Sequence, residues 1–228
     1  MKPELYLHCG MWKSGSSASQ YFLNRNQAQL RECGYSYPFI KKGHNAQQTL
    51  SQVFVNGKLD MTKTDALASW TELRDYRPEA GEKVIISNEM LQGPLLKPEN
   101  AAFVKDQLQH FDLKLIVYMR RQDWHLESSY RHQIKNGHGF PSLETYITES
   151  NRSYHWGLGK LIAHFGGENI VVRAHDKDLF TGGNIYRDFV AALGIAWSQD
   201  FIKPYGSINP GLHSDLVRFL NHTNRADK

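Results

Sequence analysis

Cysteine is almost absent: the 228 residues contain two, Cys9 and Cys33. Two cysteines without close spacing supply neither a disulfide framework nor a zinc site. Cys9 lies in an apolar run and reads as a buried free thiol. No stretch of about twenty apolar residues exists, so no membrane span is predicted. The opening MKPELYLHCG lacks the apolar stretch of a signal peptide, and a reducing cytoplasm is the expected compartment. Charge of one sign is also scarce. Lys and Arg number 27 against 23 Asp and Glu, a net charge of +4. With no basic run, this excludes a nucleic-acid arm and still suits an anionic ligand. Eleven histidines include no helical His-x-x-x-His pair beside an acidic residue, so no metal site is expected. Internal repeats and low-complexity tracts are missing too.

What is present reads as one large domain, residues 1–228, with 40% hydrophobic residues to build a core. Leu5 to His8 reads as a short buried strand. It runs into a Gly/Ser loop and then a helical pattern carrying Ala18, Tyr21, Phe22 and Leu30. Gly34 stands where that helix should stop. Residues 39–82 are polar and weakly periodic and read as an excursion from the core, although 47–55 and 65–76 each fit a helix. KVIIS (83–87) is a clear strand. LKLIVYM (113–119) is the strongest, its continuous apolar run suiting a central parallel strand covered on both faces. Helices are predicted over 100–111, 122–135, 142–148, 155–165, 185–193 and 212–221, and a further strand over 169–173. Strands alternating with helices predict an α/β fold, a three-layer α/β/α sandwich around a central parallel sheet. Tyr35, Tyr37 and Phe39 are assigned to the core.

The first loop, Gly10-Met11-Trp12-Lys13-Ser14-Gly15, sits between a strand and a helix. Small residues there let backbone N–H groups approach an anion, and the helix N-terminus adds the positive end of its dipole. The nucleotide triphosphatase pattern fails, because it needs Lys then Ser or Thr directly after the second glycine, and this chain has Ser16-Ser17. No strand carries the acidic residue that would hold magnesium beside a triphosphate. The pattern is that of an anion cradle without a metal.

Trp12-Lys13-Ser14-Gly15-Ser16-Ser17 resembles the 5′-phosphosulfate loop of sulfotransferases that use 3′-phosphoadenosine-5′-phosphosulfate (PAPS), with Trp12 where the family usually has proline. The resemblance implies that Lys13 contacts the bridging oxygen of the leaving group, and that Ser14, Gly15, Ser16, Ser17 and Ala18 hold the 5′-phosphate. A second segment agrees. The family places an arginine at the end of a strand and a serine eight residues later, gripping the 3′-phosphate, and Arg120 and Ser128 have that spacing. Arg120 would present a planar donor fork to phosphate, with Ser128 about two turns into the next helix. Arg121 is either a surface charge or a helper. The Arg120-Arg121-Gln122-Asp123 run, the stretch from Phe165 to Arg173 and Asp188-Phe189 look like bacterial members. Ser207-Ile208-Asn209-Pro210 resembles the segment that closes over the nucleotide, assigning Ser207 and Asn209 to the donor site; an ordinary Asn-Pro turn is the alternative. The fold implied is the sulfotransferase version of the P-loop sandwich.

Sulfonyl transfer requires a base for the acceptor proton, and Glu89, directly after KVIIS, is the candidate; a strand-end ion pair is its alternative role. His125 and His132 are read as solvated or structural, and His8 as buried behind the loop. His44 and His155 fall in segments that suit the acceptor cleft, and Trp12, Trp124 and Tyr130 suit either stacking or packing. Residues 39–82 and 137–157 are expected to shape an acceptor-binding cleft for a carbohydrate or glycolipid. The competing readings are a nucleotide kinase or triphosphatase, and a silent module that binds 3′-phosphoadenosine-5′-phosphate (PAP) without turnover.

Overall fold

A computed structural model describes residues 2–150, 154–204 and 212–226. The strands β1 (Glu4–His8), β2 (Tyr35–Ser36), β5 (Lys83–Ser87), β6 (Asp112–Met119) and β7 (Ile170–Ala174) form one sheet, while β3 (Phe54–Val55) and β4 (Lys58–Leu59) pair as a small hairpin. The sheet order is β2-β5-β1-β6-β7, and every pairing in it is parallel. β5 and β6 flank β1 on opposite sides, so the chain changes its direction of strand addition across β1. Open α/β sheets build ligand sites at the carboxyl ends of strands at such a point.

Alternation along the strands makes the three layers. Leu5, Leu7, Val84, Ile86, Leu115 and Val117 face one core, and Tyr6, Ile85, Ile116 and Tyr118 face the other. The first core is covered by α3 (Thr64–Asp75), α4 (Gln92–Leu95), α5 (Pro98–Gln107) and α8 (Tyr154–Phe165). The second is covered by α1 (Ser16–Arg25), α2 (Gln27–Glu32) and α9 (Ile185–Ala192). Each apolar side chain buried on such a face contributes about 1.5–3 kcal/mol. Helix α6 (Gln122–Lys135) follows β6, with α7 (Leu143–Glu149) and α10 (Ser214–Ala226) packed against it. Asn224 Nδ2 donates to Ile134 O at 2.7 Å and Arg131 Nη1 to Leu212 O at 2.9 Å.

The α/β sandwich therefore has the expected form, with three local differences. The helix predicted up to Cys33 breaks at Asn26. That fully buried side chain donates to Phe22 O at 2.8 Å and Ile202 O at 3.0 Å and accepts from Ile202 N–H at 2.7 Å. Residues 39–82 are not an excursion: Leu50, Val53, Ala66, Trp70 and Leu73 are buried in the first core, with Trp70 Nε1 donating to Leu50 O at 2.9 Å. The helix expected over 65–76 is α3, Thr64–Asp75. The helix predicted over 47–55 is a 3-10 turn, Gln48–Val53, leading into the β3–β4 hairpin. Tyr35 and Tyr37 are buried as expected, and Phe39 packs partly buried against the first core.

Candidate active site

The loop after β1 is held between two neighbouring strand ends. Cys9 N–H donates to Ile116 O and Met11 N–H to Tyr118 O, both at 3.2 Å, while Asn88 N–H donates to His8 O at 2.9 Å and His175 N–H to Met119 O at 2.7 Å. The segments following β5, β1, β6 and β7 are thus fixed side by side. Within the loop, the N–H of Ser14 donates to Met11 O at 3.1 Å, and its hydroxyl bonds the same oxygen. Lys13 (φ 68°) and Gly15 (φ 81°) both occupy the left-handed region. That is strained for lysine, and such strain collects at ligand clamps. A Cβ on Gly15 would lie 2.5 Å from Ile185 Cδ1 and 2.7 Å from His175 Nε2, so only glycine fits.

Helix α1 begins at Ser16, and the first N–H groups of a helix have no acceptor within it. The Ala18 N–H donates to Gly15 O at 3.0 Å and closes the first turn.

Lys13 and Arg120 come together here. Arg120 Nη1 donates to Lys13 O at 3.3 Å, although the two residues are 107 positions apart. Burial, then the charges of Arg120 and Lys135, hold the Lys13 ammonium below its ordinary value. Burial also lowers Arg120, against a weaker opposing pull from Glu127. The Arg120 Nε–H is shut off from solvent and has no acceptor among the described residues. Among those residues neither Lys13 nor Arg120 forms an ion pair with an acidic side chain. Half-buried cations crowded at a helix N-terminus with no carboxylate partner have the chemistry of a polyanion site.

Helix α6 presents one face to this loop. His125 Nε2 lies 2.9 Å from Trp12 O, and the His132 ring meets the Trp12 ring edge-on at 4.9 Å between centroids. Ser128 and Lys135 lie on the same side of α6 by helical spacing. Of the solvated and structural roles expected for His125 and His132, His125 takes the structural one: it is buried and holds the loop. Arg121 turns away and pairs with exposed Asp123 at 2.7 Å, stacking over Trp124, so it acts as a surface charge. Tyr130 packs against Phe140 and Tyr146.

Glu89 follows β5 and accepts a hydrogen bond from buried Gln20 of α1, which puts its carboxylate beside the middle of α1. His8 is buried, with Nδ1 2.8 Å from Ser87 Oγ, and burial lowers it to about 4. His44 lies away from the loop, its ring 3.2 Å from Gln48 Oε1. His175 escaped sequence reading. It follows β7 and abuts Gly15, and burial together with the charge of Arg120 lowers it to about 4. Its only signal was a position directly after a strand. Ser207 and Asn209 lie outside the described residues. Among the described residues no three His, Cys, Asp or Glu side chains group as metal ligands, and no helix is long and apolar enough to cross a membrane.

No family model matches the chain. A segment of 82 residues, 36% of the chain, is 35% identical to an uncharacterized protein of Archaeoglobus fulgidus, and it spans 22% of that protein's length. Across its whole length the fold is similar to that of a sulfotransferase from Alicyclobacillus acidocaldarius, with a TM-score of 0.52 and 15% identity over 93% of that chain. A likeness at this level of identity concerns the fold: a parallel sheet between helical layers, with the loop after β1 at its carboxyl edge.

Proposed function

We propose that this protein is a sulfotransferase that moves a sulfonate group from PAPS to an acceptor hydroxyl or amine and releases PAP. One observation carries the reading. Lys13 and Arg120 arrive from separate strand ends, lie in contact through the Lys13 carbonyl, and have no acidic partner among the described residues. A nucleotide with phosphates at both its 5′ and 3′ positions offers an anion to each. The loop resemblance assigns Lys13, Ser14, Gly15, Ser16, Ser17 and Ala18 to the 5′ side and Arg120 with Ser128 to the 3′ side. The sulfotransferase fold supports the same reading.

The donor supplies the sulfonate: its S–O bond to the 5′-phosphate breaks as an S–O bond forms to the acceptor. The chain's own residues do the rest. The ammonium of Lys13 and the first amides of α1 stabilise negative charge gathering on the departing phosphate oxygen. Glu89, oriented by Gln20, takes the acceptor proton. Arg120 and Ser128 fix the far end of the nucleotide and so hold the reacting end in line. Calorimetric titration tests this. Submicromolar PAP binding with weak ATP binding supports the site, and turnover with PAPS and an acceptor then separates an enzyme from a silent binder. ATP binding as tight as PAP would contradict the reading.

A further inference from the structure

A cavity of about 240 Å³ opens against the loop on the first-core side of the sheet. Met11 and Trp12, the two residues before Lys13, line it together with Val117 and Met119, which precede Arg120. Tyr154, Trp156, Gly157, Leu158 and Leu161 of α8 form another wall, and Gln92, three residues after Glu89, closes one side. Among the described residues no Asp, Glu, Lys or Arg lines it. Trp156, which borders the cavity, is 56% exposed, with the Lys160 ammonium 5.8 Å from its ring centroid.

We infer that this cavity is the acceptor site, and that the acceptor is a small hydroxylated apolar molecule, a phenol or compact alcohol, rather than a free saccharide. The inference rests on the proposed sulfotransfer. A saccharide carries a hydroxyl on nearly every carbon, and each buried hydroxyl without a partner is costly. A wall mostly of Met, Val, Leu and aromatic side chains, with Gln92 and His125 as polar members, suits a ring or short alkyl body whose single hydroxyl reaches toward the loop. Volume limits size. The cavity falls below the roughly 300–1,000 Å³ of drug-sized ligand pockets, so it admits one or two rings and not an oligosaccharide. A second cavity, of about 260 Å³, is more polar, with Lys41, His44, Gln47 and Glu72 in its wall. It includes no residue of the loops after β1 or β6, so a sugar held there would lie apart from Lys13.

Gly157 provides the probe. It lies within α8, lines the cavity, and a Cβ there would meet nothing within 4 Å. A leucine would occupy the cavity, and replacing a helical glycine favours the helix. Gly159, exposed on the same helix and equally open, is the matched control. The experiment measures three quantities in wild type, Gly157→Leu and Gly159→Leu: quenching of tryptophan fluorescence by 2-naphthol, PAP affinity by calorimetry, and sulfonate transfer from PAPS to 2-naphthol and to glucosamine. Expected is saturable quenching in wild type and Gly159→Leu, at least about tenfold weaker in Gly157→Leu, with PAP affinity equal in all three and 2-naphthol the better acceptor. Absent or non-saturable quenching in wild type overturns the inference without any variant, as does preference for glucosamine. Saturable quenching that Gly157→Leu abolishes, without PAP binding, would uphold the apolar site and refute sulfotransfer.

Discussion

Arg120 Nη1 donates to the carbonyl oxygen of Lys13 at 3.3 Å, joining the loop after β1 to the end of β6. The contact leaves the Arg120 Nε–H enclosed, with no acceptor among the described residues. An arginine so placed is a part-filled donor set, and a phosphate oxygen is the acceptor it suits.

Replacing Arg120 with alanine should weaken PAP by about 1.5–3 kcal/mol, roughly ten- to a hundredfold. Affinity for adenosine 5′-phosphosulfate, which lacks the 3′-phosphate, should barely change. Calorimetry with both ligands checks this, and equal weakening would remove Arg120 from the 3′ side.

Gly15→Ala should cost the loop its shape. The left-handed φ of 81° is worth about 1–3 kcal/mol to any other residue, and the new methyl would press on Ile185 and His175. PAP affinity should fall while the far-ultraviolet circular dichroism spectrum stays that of the wild type. Unchanged PAP affinity would show that the loop does not hold the nucleotide.

Tyr118, Arg173 and Asp188 tie β6, β7 and α9 together behind the site. Tyr118 donates to Asp188 Oδ2 at 2.7 Å, Arg173 Nε to the same oxygen at 3.1 Å, and the Thr181 N–H to Oδ1 at 2.9 Å. Burial pushes the Asp188 carboxyl upward, but these hydrogen bonds and the Arg173 charge prevail and hold it below its ordinary value. Its stabilisation is therefore present above the unfolded value of 3.8 and lost as pH falls through the lower folded one. Asp188→Ala should destabilise the fold by about 3 kcal/mol, since it strands a half-buried guanidinium. Urea denaturation at neutral pH measures this.

His8 acts in a higher window. Its folded value of about 4 lies below the ordinary histidine value of 6.5, so between those limits the unfolded chain binds more protons than the native one. Stability should then rise with pH from 4 to 6.5 and, by linkage, the full shift corresponds to about 3 kcal/mol. His8→Gln, which can keep a bond to Ser87, should flatten the curve of denaturation midpoint against pH in this range. His175 contributes in the same direction. A wild-type slope of opposite sign would show that His8 is not buried neutral.

The strands were readable because burial writes directly onto them. KVIIS and LKLIVYM are apolar on both faces, and both faces of the sheet are covered. The loop and Arg120 were readable because their spacing is local, within the loop and from strand end to helix. What escaped depends on partners distant in sequence. Asn26 breaks a helix through Ile202, 176 residues away. His175 becomes part of the site only because β7 lies next to β6, and the apolar cavity exists only once α8 folds over the loop.

Transfer of radiolabelled sulfonate by Lys13→Ala, measured beside its PAP affinity, tests the central claim most directly. The account predicts turnover reduced by about a hundredfold or more with PAP binding largely retained, because the ammonium acts on charge that develops as the phosphate leaves. Undiminished turnover, or equal losses of turnover and PAP affinity, would contradict it.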